Sequence, residues 1–333
     1  MTSIAERIRN THGKVGKNKL ITGDEAVDTE TFRIQVEGRE KTGKSWFALS
    51  VVDHFLNVMK LEPEQIQVSI LDWDMGGVVP HIRRLDKAVQ KRISYWKAED
   101  ILDGYDGWDA LSGIMRDHLN DTGVAPVFIN ENNGRMWQAS QDYYSEAVLG
   151  KSMREALVEA AKTAKMKGNR TSPVFGDPMS AYGVINPLHN ELRDKMVNGD
   201  YNLIWTTHLK DVYGNKKDNT ANEVVDVRGD GQKNNQDFID HIIRREIIKD
   251  TRVSHILHSR EINTYKKNIR DMDFTKFWST IYEVAAEEGN NSLSDRYWLN
   301  PMTVIVPKRT ATKMDIPDAV EQPEEEATED GWV

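Results

Sequence analysis

FRIQVEGREKTGKSWFALSVVDHFLNVM, residues 32–59, is the stretch on which the fold turns. Apolar residues alternate at Phe32, Ile34 and Val36, the period of a β-strand. The glycine-bounded segment Gly38-Arg39-Glu40-Lys41-Thr42-Gly43-Lys44-Ser45 follows, and after it an apolar run with helical period. The spacing is that of the pattern G-x-x-x-x-G-K-[ST] in its strand–turn–helix context. Glycines let the backbone turn so that consecutive N–H groups face inward around a phosphate. The first turn of the helix adds unpaired N–H groups and the positive end of its dipole. On this reading residues Gly38 to Trp46 cradle a nucleoside triphosphate, Lys44 neutralises its β- and γ-phosphates, and Ser45 is a magnesium ligand.

Working outward, IQVSILDWD (66–74) is a further apolar strand ending in Asp72 and Asp74, before Gly76-Gly77. A helix is expected over about 80–91, a short strand at RISYW (92–96), a helical segment near 107–119 and a buried strand at APVFINE (125–131). A helix over about 185–198 then precedes the strand YNLIWTTH (201–208), and FIDHIIRREII (238–248) supplies another. TRVSHILHSREINTYKKNIR (251–270) alternates like an edge hairpin. Strands alternating with helices predict an α/β fold, a mostly parallel sheet with ligands at the strands' C-terminal ends. Asp74-Met-Gly-Gly77 and Asn215-Lys-Lys-Asp218 match two GTPase motifs, but the context rejects both. Too few residues separate Ser45 from Asp74, and the polar segment LKDVYG stands between the strand end at His208 and Asn215.

Composition narrows the class. The 333 residues are 38% hydrophobic and 29% charged, which excludes a collagenous or fully disordered chain. The absence of cysteine removes disulfides, thiolate catalysis and zinc-finger chemistry. No N-terminal signal and no long apolar run is legible, so a cytoplasmic protein without a membrane span is expected. The net charge is −9, and all but one of those charges sit in the last twenty residues, at Asp315, Asp318, Glu321, Glu324, Glu325, Glu326, Glu329 and Asp330. That composition predicts a disordered acidic tail over 311–333, ending in Gly-Trp-Val, which could engage a protein partner. Residues 1–29 read as an N-terminal extension and 30–310 as the folded domain, with an insertion at about 138–184. Within the insertion, KSMREALVEAAKTAKMKGNR (151–170) has six basic and two acidic residues.

The set VEGREKTGKSWFAL, LDWDMGG, VFINENNGRMW and LIWTTHLK resembles the RecA-like P-loop ATPases of the ASCE class. It is closest in pattern to the small viral and archaeal members with one core domain, such as phage single-strand annealing ATPases. The resemblance covers residues 30–250 and implies a RecA-like sheet with one strand between the P-loop strand and the magnesium strand. It implies ATP hydrolysis with Mg²⁺, action on single- or double-stranded DNA, homo-oligomerisation and a cytoplasmic site, the host's for a viral member. Lys44, Asp74 and His208 become the catalytic set, with Asp74 activating water and His208 sensing the γ-phosphate. Ser45 and Glu131 become the metal-side pair, although the family's usual residue at the latter position is Asp. A second alignment makes Glu131 the base and loses the metal-side carboxylate.

The DNA-binding loops of the family would fall at 138–184, where Trp137, Tyr143 and Tyr144 stand ready to stack on bases, and at 209–236. The latter has five basic and five acidic residues and no net positive field. Arg244 or Arg245 could serve as an arginine finger toward a neighbouring subunit. A nucleotide-dependent scaffold and a DNA-packaging motor are the alternatives in function.

Overall fold

The computed structural model describes residues 31–74, 76–102, 110, 111, 113, 125–167, 178–198, 201–215 and 222–289. The expected N-terminal extension, the acidic tail and most of the 107–119 segment lie outside the described residues.

A nine-stranded sheet organises the molecule. Its strands are β1 (Arg33–Gly38), β2 (Ile66–Asp72), β3 (Ile93–Lys97), β4 (Ala125–Glu131), β5 (Asn202–Asn215), β6 (Asn222–Gly229), β7 (His241–Ile248), β8 (Thr251–Ser259) and β9 (Lys266–Arg270). Their order is β3-β2-β4-β5-β1-β7-β8-β9, with β6 paired to β5 alone. The six strands from β3 to β7 are parallel, and β8 and β9 extend them antiparallel at the edge. Thus β5 lies between β1 and β4, and the edge hairpin expected at 251–270 is β8–β9.

Both faces of the sheet are buried, as parallel sheets require. On one face Ile34, Val36, Val68, Ile70, Val127, Ile129, Ile204 and Ile243 pack under helix α1 (Lys44–Asn57) and helix α8 (Phe274–Glu287). On the other, Leu71, Phe128, Leu203 and Trp205 pack under α5 (Asn133–Leu149) and α7 (Pro178–Val197). Helix α8 enters the core through Phe274, Phe277, Trp278 and Ile281, an i, i+3, i+4, i+7 face. Phe274 N–H donates to Ser50 Oγ of α1 at 2.9 Å, and the rings of Phe32 and Phe274 lie 5.2 Å apart. Each such ring contributes ~1.5–3 kcal/mol through burial.

Several boundaries differ from the expectation. The helix expected over 80–91 is two short pieces, α2 (Val79–Ile82) and α3 (Lys87–Gln90), separated at Asp86. Helix α4 (Ala98–Leu102) follows β3. The insertion is helical in its described parts, formed by α5, α6 (Met153–Met166) and the start of α7. Ser152 and Glu155 form a capping box that starts α6. β5 does not stop at His208. It pairs with β1 as far as His208 and continues from Leu209 to Asn215 against β6. The two segments expected as loops are therefore helices and a β-hairpin in their described parts.

Candidate functional site

β1 ends at Gly38, whose register partners are His208 on β5 and Arg245 on β7. The turn after it is tight. A Cβ on Gly38 would stand 2.5 Å from Thr42 Oγ1 and 2.7 Å from the Arg245 carbonyl oxygen, so only glycine fits. Gly43 has φ 87° and is the N-cap of α1, without a side-chain cap. The N–H groups that open this 14-residue helix therefore receive no side-chain cap from Gly43. Lys41, at φ 61°, is a second left-handed position in the same turn.

Lys44 is buried and folds over the turn. Its ammonium donates to the carbonyl oxygens of Gly38 (3.1 Å) and Arg39 (3.0 Å) and faces His208 Nδ1 at 3.5 Å. Burial holds its pKa below the usual lysine value, against the raising influence of Glu131, Asp74 and Glu40. Thr42 Oγ1 donates to the Arg39 carbonyl at 2.9 Å. The Arg39 guanidinium pairs with Asp211 on β5 at 2.8 Å, and Trp46 lies beneath the Arg245 guanidinium at 5.4 Å.

Glu131 closes β4 opposite Asp72. Its carboxyl is buried and accepts from Thr206 Oγ1 at 2.5 Å, while the Ser45 hydroxyl acts on the same group. Oε1 is buried without a hydrogen-bond partner. Burial lifts the pKa to about 7, with Thr206 and Ser45 pulling it down and Asp72 pushing it up. Asn130 points elsewhere, its Oδ1 accepting from Trp73 Nε1 at 2.9 Å. Glu131, not Asn130, thus faces the turn. An orphaned, buried carboxylate oxygen beside a serine hydroxyl fits a hard divalent cation. Among the described residues no group of three or more His, Asp and Glu could hold a metal by itself, so phosphate oxygens and water would complete its shell.

Asp74 lies across the site. Its Oδ2 is 3.4 Å from His208 Nε2, and its Oδ1 accepts from Asn132 Nδ2 at 3.2 Å. The hydrogen bond to His208 is the main reason its pKa lies below the usual aspartate value. An ammonium has only donors, so Lys44 at Nδ1 leaves the imidazole proton on Nε2, facing Asp74. Asp72 has a different task. It accepts from the N–H groups of Asp74 (2.6 Å) and Gly76 (2.9 Å) and from the Tyr95 hydroxyl (2.7 Å), which caps the strand end.

The structure brings Lys44, Ser45, Asp74, Glu131 and His208 together and gives three further residues supporting roles that the sequence did not reveal. Thr206, just past the part of β5 that pairs with β4, donates to Glu131 and accepts the Asn132 N–H at 2.9 Å. Asn132, at φ 64°, caps α5 and orients Asp74. Arg245 is fully buried, its Nε on the Thr42 carbonyl (3.2 Å) and Nη1 on the Met272 carbonyl (2.8 Å). A strand-end Thr, an Asn before a helix and an Arg in an apolar strand are weak signals without the fold.

Two expectations are corrected. Arg245 cannot reach a neighbouring subunit, and Arg244 is bound to buried Glu37 at 2.6 Å and to the Val227 carbonyl at 2.8 Å. Tyr144 is buried, Tyr143 packs against the core, and Trp137 stacks on Tyr182, so these rings fill the helical layer. Basic side chains of α6 and its C-cap do face outward at Arg154, Lys162, Lys165 and Lys167. No helix among the described residues is long and apolar enough to cross a membrane.

The chain matches no protein-family model and no curated protein significantly. The class that fold and site define is an α/β protein with a mostly parallel mixed sheet and a glycine-bounded strand–turn–helix junction at the end of β1.

Proposed function

We propose that this chain is a RecA-like P-loop ATPase of the ASCE class that hydrolyses ATP and acts on DNA. One observation carries the reading: the Glu131 carboxyl, at the end of the strand two places from β1, faces Ser45 of the glycine-bounded turn. The placement of β5 between β1 and β4 supports the same class.

Hydrolysis of a phosphoanhydride needs positioning, charge neutralisation and a placed water. The turn and the N-terminus of α1 would bind the phosphates, with Lys44 shifting from its own loop's carbonyls onto phosphate oxygens. Ser45 and Glu131 would hold Mg²⁺, which supplies charge neutralisation on those oxygens. Asp74, held by Asn132 and His208, would orient the attacking water as an acceptor; its lowered pKa suits orientation better than full proton abstraction. His208 joins Lys44 to Asp74 and would respond to the terminal phosphate through Lys44. DNA as partner rests on the resemblance and on the outward basic side chains of α6.

The test is calorimetric uptake of Mg–ATP by the full chain, followed by phosphate release with and without single-stranded DNA. Saturable uptake with DNA-stimulated turnover supports the reading, and no uptake overturns it. A second reading, a nucleotide-dependent scaffold, is favoured by one feature: Glu131 stands where the resemblance expects Asp, and burial raises its pKa. Uptake without turnover would select it.

A further inference from the structure

Two guanidiniums converge on the turn. Arg252, on β8, has its Cδ and Nε 3.3 and 3.4 Å from the point a Cβ on Gly43 would occupy, and Arg245 Nη2 lies 3.6 Å from the same point. Arg245 Nη2 is buried and has no hydrogen-bond partner. Arg252 is exposed, and among the described residues its guanidinium makes no hydrogen bond or ion pair. His81 belongs to the same positive field, its Nδ1 buried without a partner.

We infer that Arg252 contacts the nucleotide within its own chain, closing on phosphate oxygens held by the Gly38–Ser45 turn from the β8 side of Gly43. The inference rests on the proposed nucleotide site and adds a residue that the motif does not contain. Two like charges against one glycine, one of them with an unmet buried N–H, are costly unless an anion joins them. Arg245 is drawn down to about 10 by burial and then by Arg252, against the raising influence of Asp271 and Asp273, and His81 is lowered by burial, Arg84 and Arg252. Arg245 is anchored to two backbone carbonyls and cannot move. Arg252 is on the exposed side and free to turn, and guanidinium geometry suits phosphate oxygens. The chain thereby carries in cis a positive charge that many nucleotide sites take from a neighbouring molecule.

The experiment compares Mg–ATP affinity and turnover in the wild-type chain, Arg252→Ala and Arg252→Lys. The dissociation constant should rise about tenfold in the alanine variant and recover in part with lysine, while the melting temperature of the nucleotide-free alanine variant should stay level or rise, because a like charge beside Arg245 is gone. Mixing Arg252→Ala with excess Lys44→Ala chain should restore no turnover, because neither chain holds a complete site. Restoration on mixing would place Arg252 in a neighbour's site and overturn the inference. Unchanged affinity in Arg252→Ala, with wild-type uptake intact, also overturns it while leaving the ATPase reading standing. Absence of wild-type uptake removes both. Should the alanine variant fail to fold, Arg252→Gln against Arg252→Lys reads the same dependence on charge.

Discussion

Lys44 and Asp74 are joined through one imidazole: His208 Nδ1 lies 3.5 Å from the Lys44 ammonium and Nε2 lies 3.4 Å from Asp74 Oδ2. A lysine at the start of α1 and a carboxylate just past β2, thirty residues apart in sequence, thus share one intermediary on β5. Movement of Lys44 toward a ligand would be felt at Asp74.

Lys44→Ala should abolish measurable ATP turnover. The ammonium is buried over the turn, on the Gly38 and Arg39 carbonyls and facing His208, where neither Arg245 nor Arg252 stands. A phosphate-release assay at saturating ATP checks this, and wild-type turnover in the variant would refute the site.

Asp74→Asn should slow hydrolysis ~10²-fold or more while ATP affinity stays within a few-fold. The amide keeps the hydrogen bond geometry with Asn132 in part but loses the charge that faces His208. Separate measurement of kcat and the ATP dissociation constant decides it; a defect confined to affinity would move the water-orienting role to Glu131.

Arg245→Ala should destabilise the fold by about 3 kcal/mol, since it strands the Thr42 and Met272 carbonyls and opens a cavity in the core. Urea unfolding followed by fluorescence measures the loss. A change under about 0.5 kcal/mol would mean that the turn is held without this residue.

His189 governs a pH dependence. It is buried in α7 with Nε2 3.2 Å from Asn235 Oδ1, and burial is the first cause that lowers its pKa from 6.5 to about 4. The unfolded chain therefore binds more protons between those two values, so stability rises with pH across that window and falls on acidification. The loss from pH 6.5 to pH 4 should be about 3 kcal/mol from this group. Chemical denaturation at several pH values checks it, and a His189→Gln variant should show a flatter profile.

How much of this was legible in the sequence depended on whether the determinant was local. The glycine-bounded turn, the strands β1, β2, β3, β4 and β7 and the edge hairpin follow from short-range period and turn chemistry. Helix α8 was also written there, as Phe274, Phe277, Trp278 and Ile281 at helical spacing, yet was missed because its neighbouring polar residues dilute the signal. The continuation of β5 past His208 was hidden, since LKDVYG becomes a strand only by pairing with β6.

By itself the sequence determined the cradle, because a tight turn between strand and helix is specified by residues adjacent in the chain. It also determined that Glu131 closes one apolar strand and that Asp74 lies just past the end of another. Only the tertiary structure decided which way those carboxyls face. The register of β4 against β5 puts Thr206 on Glu131, and the polar residues Gln35 and Glu37 of β1 are buried rather than exposed because Arg244 and the end of β6 cover them. Such contacts join residues 75 to 207 positions apart, and their geometry comes from the sheet, not from any local pattern.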